Sequence, residues 1–282
     1  MKLTVLIDNN TIIDQYLYGE PAVSYFIEDE DIKILFDAGY SSAFILNAEK
    51  LNIDIASINY LVLSHGHDDH TRGIPFLIEK LKRSYSDIDT RKRPKLLAHP
   101  RALEPKSLEL DNLNIGVDIP PEYLQKFFSL LLTDKPYYLN NKFVFLGQIP
   151  SIFDFEQREA VGLCTHNNQK ENDFLLDDSA LVYKSLNGLV IITGCSHSGI
   201  CNIIKYAQDV CAEKRIVDII GGLHFLDISS TSVRISKTID FLLQNFPEKM
   251  HPCHCTDLKS KIALSHHLPV CEVGSGMQFM YR

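Results

Sequence analysis

The stretch Leu61-Val62-Leu63-Ser64-His65-Gly66-His67-Asp68-Asp69-His70 decides how this chain is read. It starts as a short apolar strand and ends with three imidazoles and two carboxylates in six positions. Histidine brings a borderline nitrogen donor and aspartate a hard oxygen donor, a set suited to zinc, iron or manganese. A single loop histidine commonly does no more than cap a strand or helix. This density, where a buried strand stops and a helix begins, points instead to a metal site. His65 and His67 share one direction, while Asp69 and His70 reach a neighbouring position, so the run can serve two ions.

Working outward, strands are expected at residues 3–7, 22–27 and 32–36. A helix follows at 42–51, where Phe44, Ile45, Ala48 and Leu51 recur at helical spacing. A second helix is expected at 74–85, directly after the histidine run. Residues 87–141 read as an irregular elaboration on the core. They hold the basic run Arg91-Lys92-Arg93-Pro94-Lys95, a strand at 96–98, a break at Pro120-Pro121 and a helix at 122–132. The basic run is read as a solvated turn, with contact to a phosphate as the alternative.

Order returns with a strand at 142–146. Leu186-Asn187-Gly188 then separates the apolar runs 180–185 and 189–193, a hairpin signal because Asn-Gly accepts positive φ. A helix carrying Ile200, Ile203, Ile204, Ala207 and Cys211 leads to a strand at 216–220. Another helix places Ile235, Ile239, Leu242, Leu243 and Phe246 on one face. Short strands at 250–252 and 278–281 close the chain. Hairpins and strand–helix pairs in both halves predict two packed sheets with helices outside, in a single domain over 1–282.

The 282 residues are 45% hydrophobic, enough for a sizeable core, and their formal charge of −8 argues against broad attraction to nucleic acid or anionic membrane. A small-molecule substrate is the expected partner. No secretory core and no spanning apolar run is evident, and seven cysteines without a regular framework suit reduced thiols in a cytoplasm. Cys253 and Cys255 have no matching second pair, so zinc-ribbon and iron–sulfur readings are not supported.

The run His65-Gly66-His67-Asp68-Asp69-His70 resembles the HxHxDH motif of the metallo-β-lactamase superfamily. Leu35-Phe36-Asp37-Ala38-Gly39 is similar to its upstream Asp-x-Gly turn, whose aspartate supports the site. Four phrases narrow the branch: Leu61 to His67, Thr193-Gly194-Cys195-Ser196-His197-Ser198-Gly199-Ile200, Ile219-Ile220-Gly221-Gly222-Leu223-His224, and Pro252-Cys253-His254-Cys255-Thr256. They resemble the dihydropterin–ribofuranosylaminobenzene phosphate synthase-like proteins. The resemblance implies an α+β fold, a four-layer αββα sandwich, with an irregular insertion in the middle of the chain. It implies one or two divalent cations, zinc first and manganese or iron as alternatives. His65, His67 and His197 would hold one ion; Asp69, His70 and His254 would hold or orient a second.

Several positions depart from the family pattern. Cys195 stands where a bridging aspartate is usual, and either a thiolate ligand or a buried neutral thiol fits there. The usual histidine before the hairpin is missing; Asp177 and Asp178 stand nearby, as a substitute ligand or as a turn-forming acidic pair. His224 lies where related phosphodiesterases and tRNA 3′-processing nucleases keep a proton-donating histidine, so it is read as an acid, a ligand or an orienting group, with a purely structural role as the alternative. Gly147-Gln148-Ile149-Pro150-Ser151 replaces a charged Gly-Glu-Ile-Pro-Arg, and Arg72 replaces a glycine, either contacting an anion or facing water. His99, His166, His251, His266 and His267 are assigned to surface or packing.

These readings predict a hydrolase using metal-activated water, with Asp69 and His224 as its catalytic side chains, probable substrates being phosphoesters or similar small esters. A pterin-condensing synthase is the second reading, and a non-catalytic iron-binding redox sensor the third.

Overall fold

The computed structural model describes residues 1–84, 93–226 and 232–282. Tyr85, Arg91, Lys92 and the first residues of the expected elaboration lie outside the described residues. The chain forms two compact units. The first comprises Met1–Thr133, Val161–Asp173 and Gly274–Tyr281; the second comprises Asp134–Ala160, Phe174–Val273 and Arg282.

The first unit is built on a seven-stranded sheet in the order Gln278–Met280, Lys2–Ile7, Ser24–Asp29, Ile32–Phe36, Tyr60–Val62, Lys95–Ala98 and Ser129–Leu132. Its first four strands pair antiparallel, and from Ile32–Phe36 onward every pairing is parallel. The inner parallel strands are short and apolar, as strands covered on both faces must be, whereas Ser129–Leu132 at the sheet edge is partly exposed. Leu35, Leu61 and Leu96 pack with Phe44 and Ala48 of the helix Ala43–Lys50 and with Leu77, Ile78 and Leu81 of the helix Ile74–Ser84. Burying these helix faces against the sheet supplies most of the drive to fold this half.

The expected helix at 122–132 is replaced by one helical turn, Pro121–Leu124, followed by the strand Ser129–Leu132. Leu130, Leu131 and Leu132 stand in register with Leu96, Leu97 and Ala98. A short continuous apolar run suits a buried strand as well as a helix, and pairing with the Lys95–Ala98 backbone decides between them. A further sheet of Lys106–Ser107, Leu163–His166 and Gln169–Asn172 was not anticipated. It sits next to a buried ion pair, Lys106 Nζ to Asp173 Oδ2 at 2.6 Å.

The second unit holds a six-stranded sheet in the order Lys249–Pro252, Ile216–Gly221, Leu189–Thr193, Ala180–Lys184, Phe143–Phe145 and Tyr137–Tyr138. The first three strands are mutually parallel and the remainder antiparallel. The hairpin expected around Asn187-Gly188 is present, with Ala180 opposite Thr193 and Lys184 opposite Leu189. Val182, Ile191 and Ile219 pack with Ile203 and Ala207 of the helix Ile200–Cys211 and with Ile235 and Leu242 of the helix Val233–Gln244. A last helix, Leu258–Ser265, was not expected; Asp257 caps it by accepting from Ser260 N. Among the described residues no helix is long and apolar enough to cross a membrane.

Candidate metal centre

In the first unit, two parallel strands deliver the candidate donors from their C-terminal ends. Ile32–Phe36 runs into Asp37, and Tyr60–Val62 runs into Ser64 and the histidine run. Asp37 is fully buried with φ of 56°, a left-handed conformation that aspartate adopts more readily than most residues. Its Oδ1 accepts from Ser64 N at 2.7 Å, and its Oδ2 accepts from Ser64 Oγ at 2.7 Å and meets His70 Nδ1 at 2.7 Å. The carboxylate thus holds the proton of His70 on Nδ1 and leaves Nε2 as the donor atom, the usual second layer of a metal-binding histidine. His70 Nε2 lies 3.5 Å from Asp69 Oδ2. Ser64 Oγ also meets His65 Nδ1 at 2.9 Å, fixing a second ring from behind.

The rings converge: His65 to His67 is 4.7 Å between centroids and His65 to His70 is 4.3 Å. His65 and His70 are fully buried, His67 nearly so, and Asp69 is partly exposed. Gly66 is required here because a Cβ would lie 2.2 Å from the Ala102 carbonyl oxygen. The one-turn helix Asp68–Thr71 closes the run, with Thr71 Oγ1 donating to the His67 carbonyl at 2.8 Å. Burial and the neighbouring Asp69 charge push the Asp68 carboxyl up. Arg72 is half-exposed, stacked 4.6 Å over the Tyr40 ring and 3.7 Å from Asp68. Tyr40, Asp68, Thr71, Arg72 and Phe76 are among the residues lining a cavity of about 470 Å³ on this unit.

The second unit spreads its candidates over three loops, each again leaving the C-terminal end of a parallel strand. Leu189–Thr193 leads to Cys195 and His197, Ile216–Gly221 to His224, and Lys249–Pro252 to His254 and Cys255. Ser196, His224 and His254 have φ values of 59°, 50° and 51°. Left-handed non-glycine residues gathered in one group of loops are a mark of functional sites. Hydrogen bonds stitch the loops together: Gly222 N donates to the Gly194 carbonyl at 2.8 Å, Cys253 N to the Gly221 carbonyl at 3.1 Å, and Leu223 N to the side-chain Oγ1 of Thr256 at 2.9 Å. The His197 and His224 rings lie 4.1 Å apart.

Asp178 resolves part of what its sequence left open. It is fully buried, and its Oδ2 accepts from Ser198 N at 2.8 Å and from Ser198 Oγ, pinning the turn that carries His197. Burial raises its pKa, opposed by Arg158 and by the Ser198 hydrogen bonds. Its Oδ1 is buried with no hydrogen-bond partner among the described residues. Glu156, which the sequence reading passed over, accepts from Cys201 N at 3.0 Å and Asn202 N at 2.8 Å at the start of the helix after His197. A lone glutamate 45 residues away offered no local signal, although a buried acid at a helix N-terminus is favourable once the fold exists. His251 is buried against Asp218 at 2.8 Å, a packing role as assigned.

The donor chemistry fits a divalent cation. The first unit groups imidazoles with a carboxylate oriented by a buried aspartate, and a buried Asp178 oxygen without a partner is costly unless a cation or water meets it.

A family model, the metallo-β-lactamase superfamily, matches residues 17–83, which include Asp37 and the whole histidine run. Over 265 residues the chain is 30% identical to "Uncharacterized protein MJ0448" of Methanocaldococcus jannaschii, covering 93% of each. The chain belongs to the metallo-β-lactamase superfamily. It is also 28% identical over 269 residues to the 7,8-dihydropterin-6-methyl-4-(beta-D-ribofuranosyl)-aminobenzene-5'-phosphate synthase of the same organism, covering 93% of this chain and 89% of that protein. Among solved structures it is similar to Tm1679, described as a metal-dependent hydrolase of the beta-lactamase superfamily, with a TM-score of 0.81, 25% identity and coverage of 99% and 98%. Human tRNase Z, short form, shares the fold at a TM-score of 0.52 and 13% identity over the full length of both chains. The metallo-β-lactamase fold expected from the sequence is therefore present in this superfamily member.

Proposed function

We propose that this superfamily member is a metal-dependent hydrolase acting on a phosphoester or a similar small-molecule ester in the cytoplasm. The observation that carries the reading is the convergence of the His65, His67 and His70 rings over Asp37, which orients His70 from behind. His65, His67, Asp69 and His70 would bind metal, and the resemblance adds His197 and His254 of the second unit. Zinc suits this set first, with manganese or iron as alternatives. A bound divalent cation would supply Lewis acidity and lower the pKa of water to roughly 7.

The protein's own groups then have distinct tasks. An Asp69 carboxylate oxygen accepts the proton from the attacking water and aligns it. His224 donates a proton from a ring nitrogen to the departing oxygen. Arg72, held over Tyr40 at the edge of the 470 Å³ cavity, pairs with an anionic group of the substrate. Elemental analysis of the purified protein, run beside phosphodiester, phosphomonoester and lactone substrates, tests the reading. His67→Ala should lose turnover together with the metal of the histidine run; unchanged metal stoichiometry in that variant would defeat the assignment.

A second reading is favoured by the pterin-related synthase that is 28% identical to this chain. Here the same residues would bind a cation that stabilises a condensation rather than activating water. Gln148 and Ser151, in place of charged residues, weigh against it. Product analysis with a pterin diphosphate donor separates the two readings.

A further inference from the structure

The second unit holds a group of soft donors that the proposed hydrolysis does not use as a set. We propose that Cys195, Cys255 and His224 form a metal site of their own, with thiolate–imidazole chemistry selecting a zinc-class divalent cation. The two sulfurs and a ring nitrogen of His224 all lie within 4.8 Å of one another. A tetrahedral zinc ion holds sulfur at about 2.3 Å and nitrogen at about 2.0–2.1 Å, so its ligands stand roughly 3.5–4 Å apart. Small side-chain shifts bring these three donors to that spacing.

The backbone is built around this group. Gly222 lies between the two cysteines: a Cβ there would fall 2.4 Å from Cys255 Sγ and 3.3 Å from Cys195 Cα. Any larger residue would displace the Cys255 sulfur. The His224 amide donates to Cys255 Sγ at 3.3 Å, the arrangement that commonly supports a metal-bound thiolate. His224 Nδ1 is buried and has no hydrogen-bond partner among the described residues, so a ligand role would satisfy it. Cys195 and Cys255 are buried at 3% and 8% exposure, which makes neutrality matter. Two thiolates and one divalent cation sum to zero charge, avoiding the cost of a lone buried ion.

Three protein donors leave the fourth tetrahedral position for water or another ligand, the arrangement of an open zinc site. An imidazole that gives one nitrogen to a cation keeps N–H on the other, so a ligated His224 would stabilise the departing oxygen by a hydrogen bond in place of the proton transfer that a free imidazolium makes. The inference does not depend on hydrolysis being the reaction.

The test uses the full-length protein, stripped by chelator and titrated with Co²⁺ alone. Thiolate-to-cobalt charge transfer in the near ultraviolet is expected in the wild type. Cys255→Ser should remove about half of that absorption, one thiolate of two, while Cys253→Ser keeps it. His67→Ala should also keep it, since that variant lesions the histidine run instead. No charge-transfer band, or a band indifferent to Cys255→Ser, overturns the site whether or not the enzyme hydrolyses anything. If circular dichroism shows Cys255→Ser unfolded, X-ray absorption of the zinc-loaded wild type decides. A sulfur shell at about 2.3 Å supports the site; nitrogen and oxygen neighbours alone overturn it.

Discussion

The two units gather candidate metal donors by opposite local means. In both, candidate donors leave the C-terminal ends of parallel strands, where open α/β sheets generally place their ligands. The first unit concentrates four of them in one hexapeptide and holds it with one buried carboxylate, Asp37. The second distributes His197, His224 and His254 over three loops and holds these with backbone bonds, a close-packed glycine and Asp178. The contrast teaches that a ligand set needs rigid support more than sequence adjacency. Where the ligands are adjacent, one anchor serves several; where they are scattered, each loop needs its own.

The most severe way to break this comparison is to remove one ring from each unit. His67→Ala should abolish turnover together with the metal held by the histidine run. His224→Ala should lower turnover by about 10²–10⁴-fold, the range for a lost general acid, while metal bound by the histidine run stays. Elemental analysis with single-turnover kinetics reads both. Loss of the histidine-run metal in both variants would mean that the units do not divide the work in this way.

Next in size is the anchor itself. Asp37→Asn keeps the shape but removes the charge that orients His70, so metal affinity should fall by roughly 10–100-fold. Competition with a chromophoric chelator measures it. Asp178→Asn applies the same test to a carboxylate of the second unit. A smaller loss there is expected if Asp178 only positions Ser198, and an equal or larger one if its Oδ1 ligates metal.

The run in the first unit was legible because its chemistry and its geometry occupy one line of sequence. Asp37 was found from the Asp-x-Gly pattern, and the regular helices and the Asn187-Gly188 hairpin from periodicity and turn chemistry. Legibility failed where tertiary pairing chose between local options: residues 122–132 read as one helix, and only pairing with the Lys95–Ala98 edge made Ser129–Leu132 a strand. It failed again where support comes from afar. Glu156 contacts amides 45 and 46 positions on, and Gly222 owes its identity to Cys255, which lies 33 positions later.

Packing around the scattered loops offers a subtler test. Gly222→Ala in the second unit and Gly66→Ala in the first each press a methyl group against fixed neighbours, and each should cost about 1–3 kcal/mol. Denaturant midpoints give the comparison. A cost in one unit alone would show that only one of the loop systems is rigid.

The mildest effect is one of pH. Burial raises the Glu156 pKa despite its two amide hydrogen bonds. The folded state therefore holds this proton more tightly than the unfolded chain does, and its stability contribution is largest below the ordinary glutamate value. That contribution declines as pH climbs from there to the raised folded value. Glu156→Gln should flatten this part of the stability profile, as thermal melts across the acidic-to-neutral range would show. A profile unchanged in slope would mean that Glu156 keeps its ordinary affinity for protons.

The turn at Ser185 to Gly188 precedes the strand Leu189–Thr193, whose far end leads to Cys195 and His197. Its tip residue Leu186 is 84% exposed. A label, an affinity handle or a surface linker grafted at that tip would be separated from the reactive loops by the length of a strand. The hairpin is thus a natural tether for immobilising the protein with its candidate donors left undisturbed.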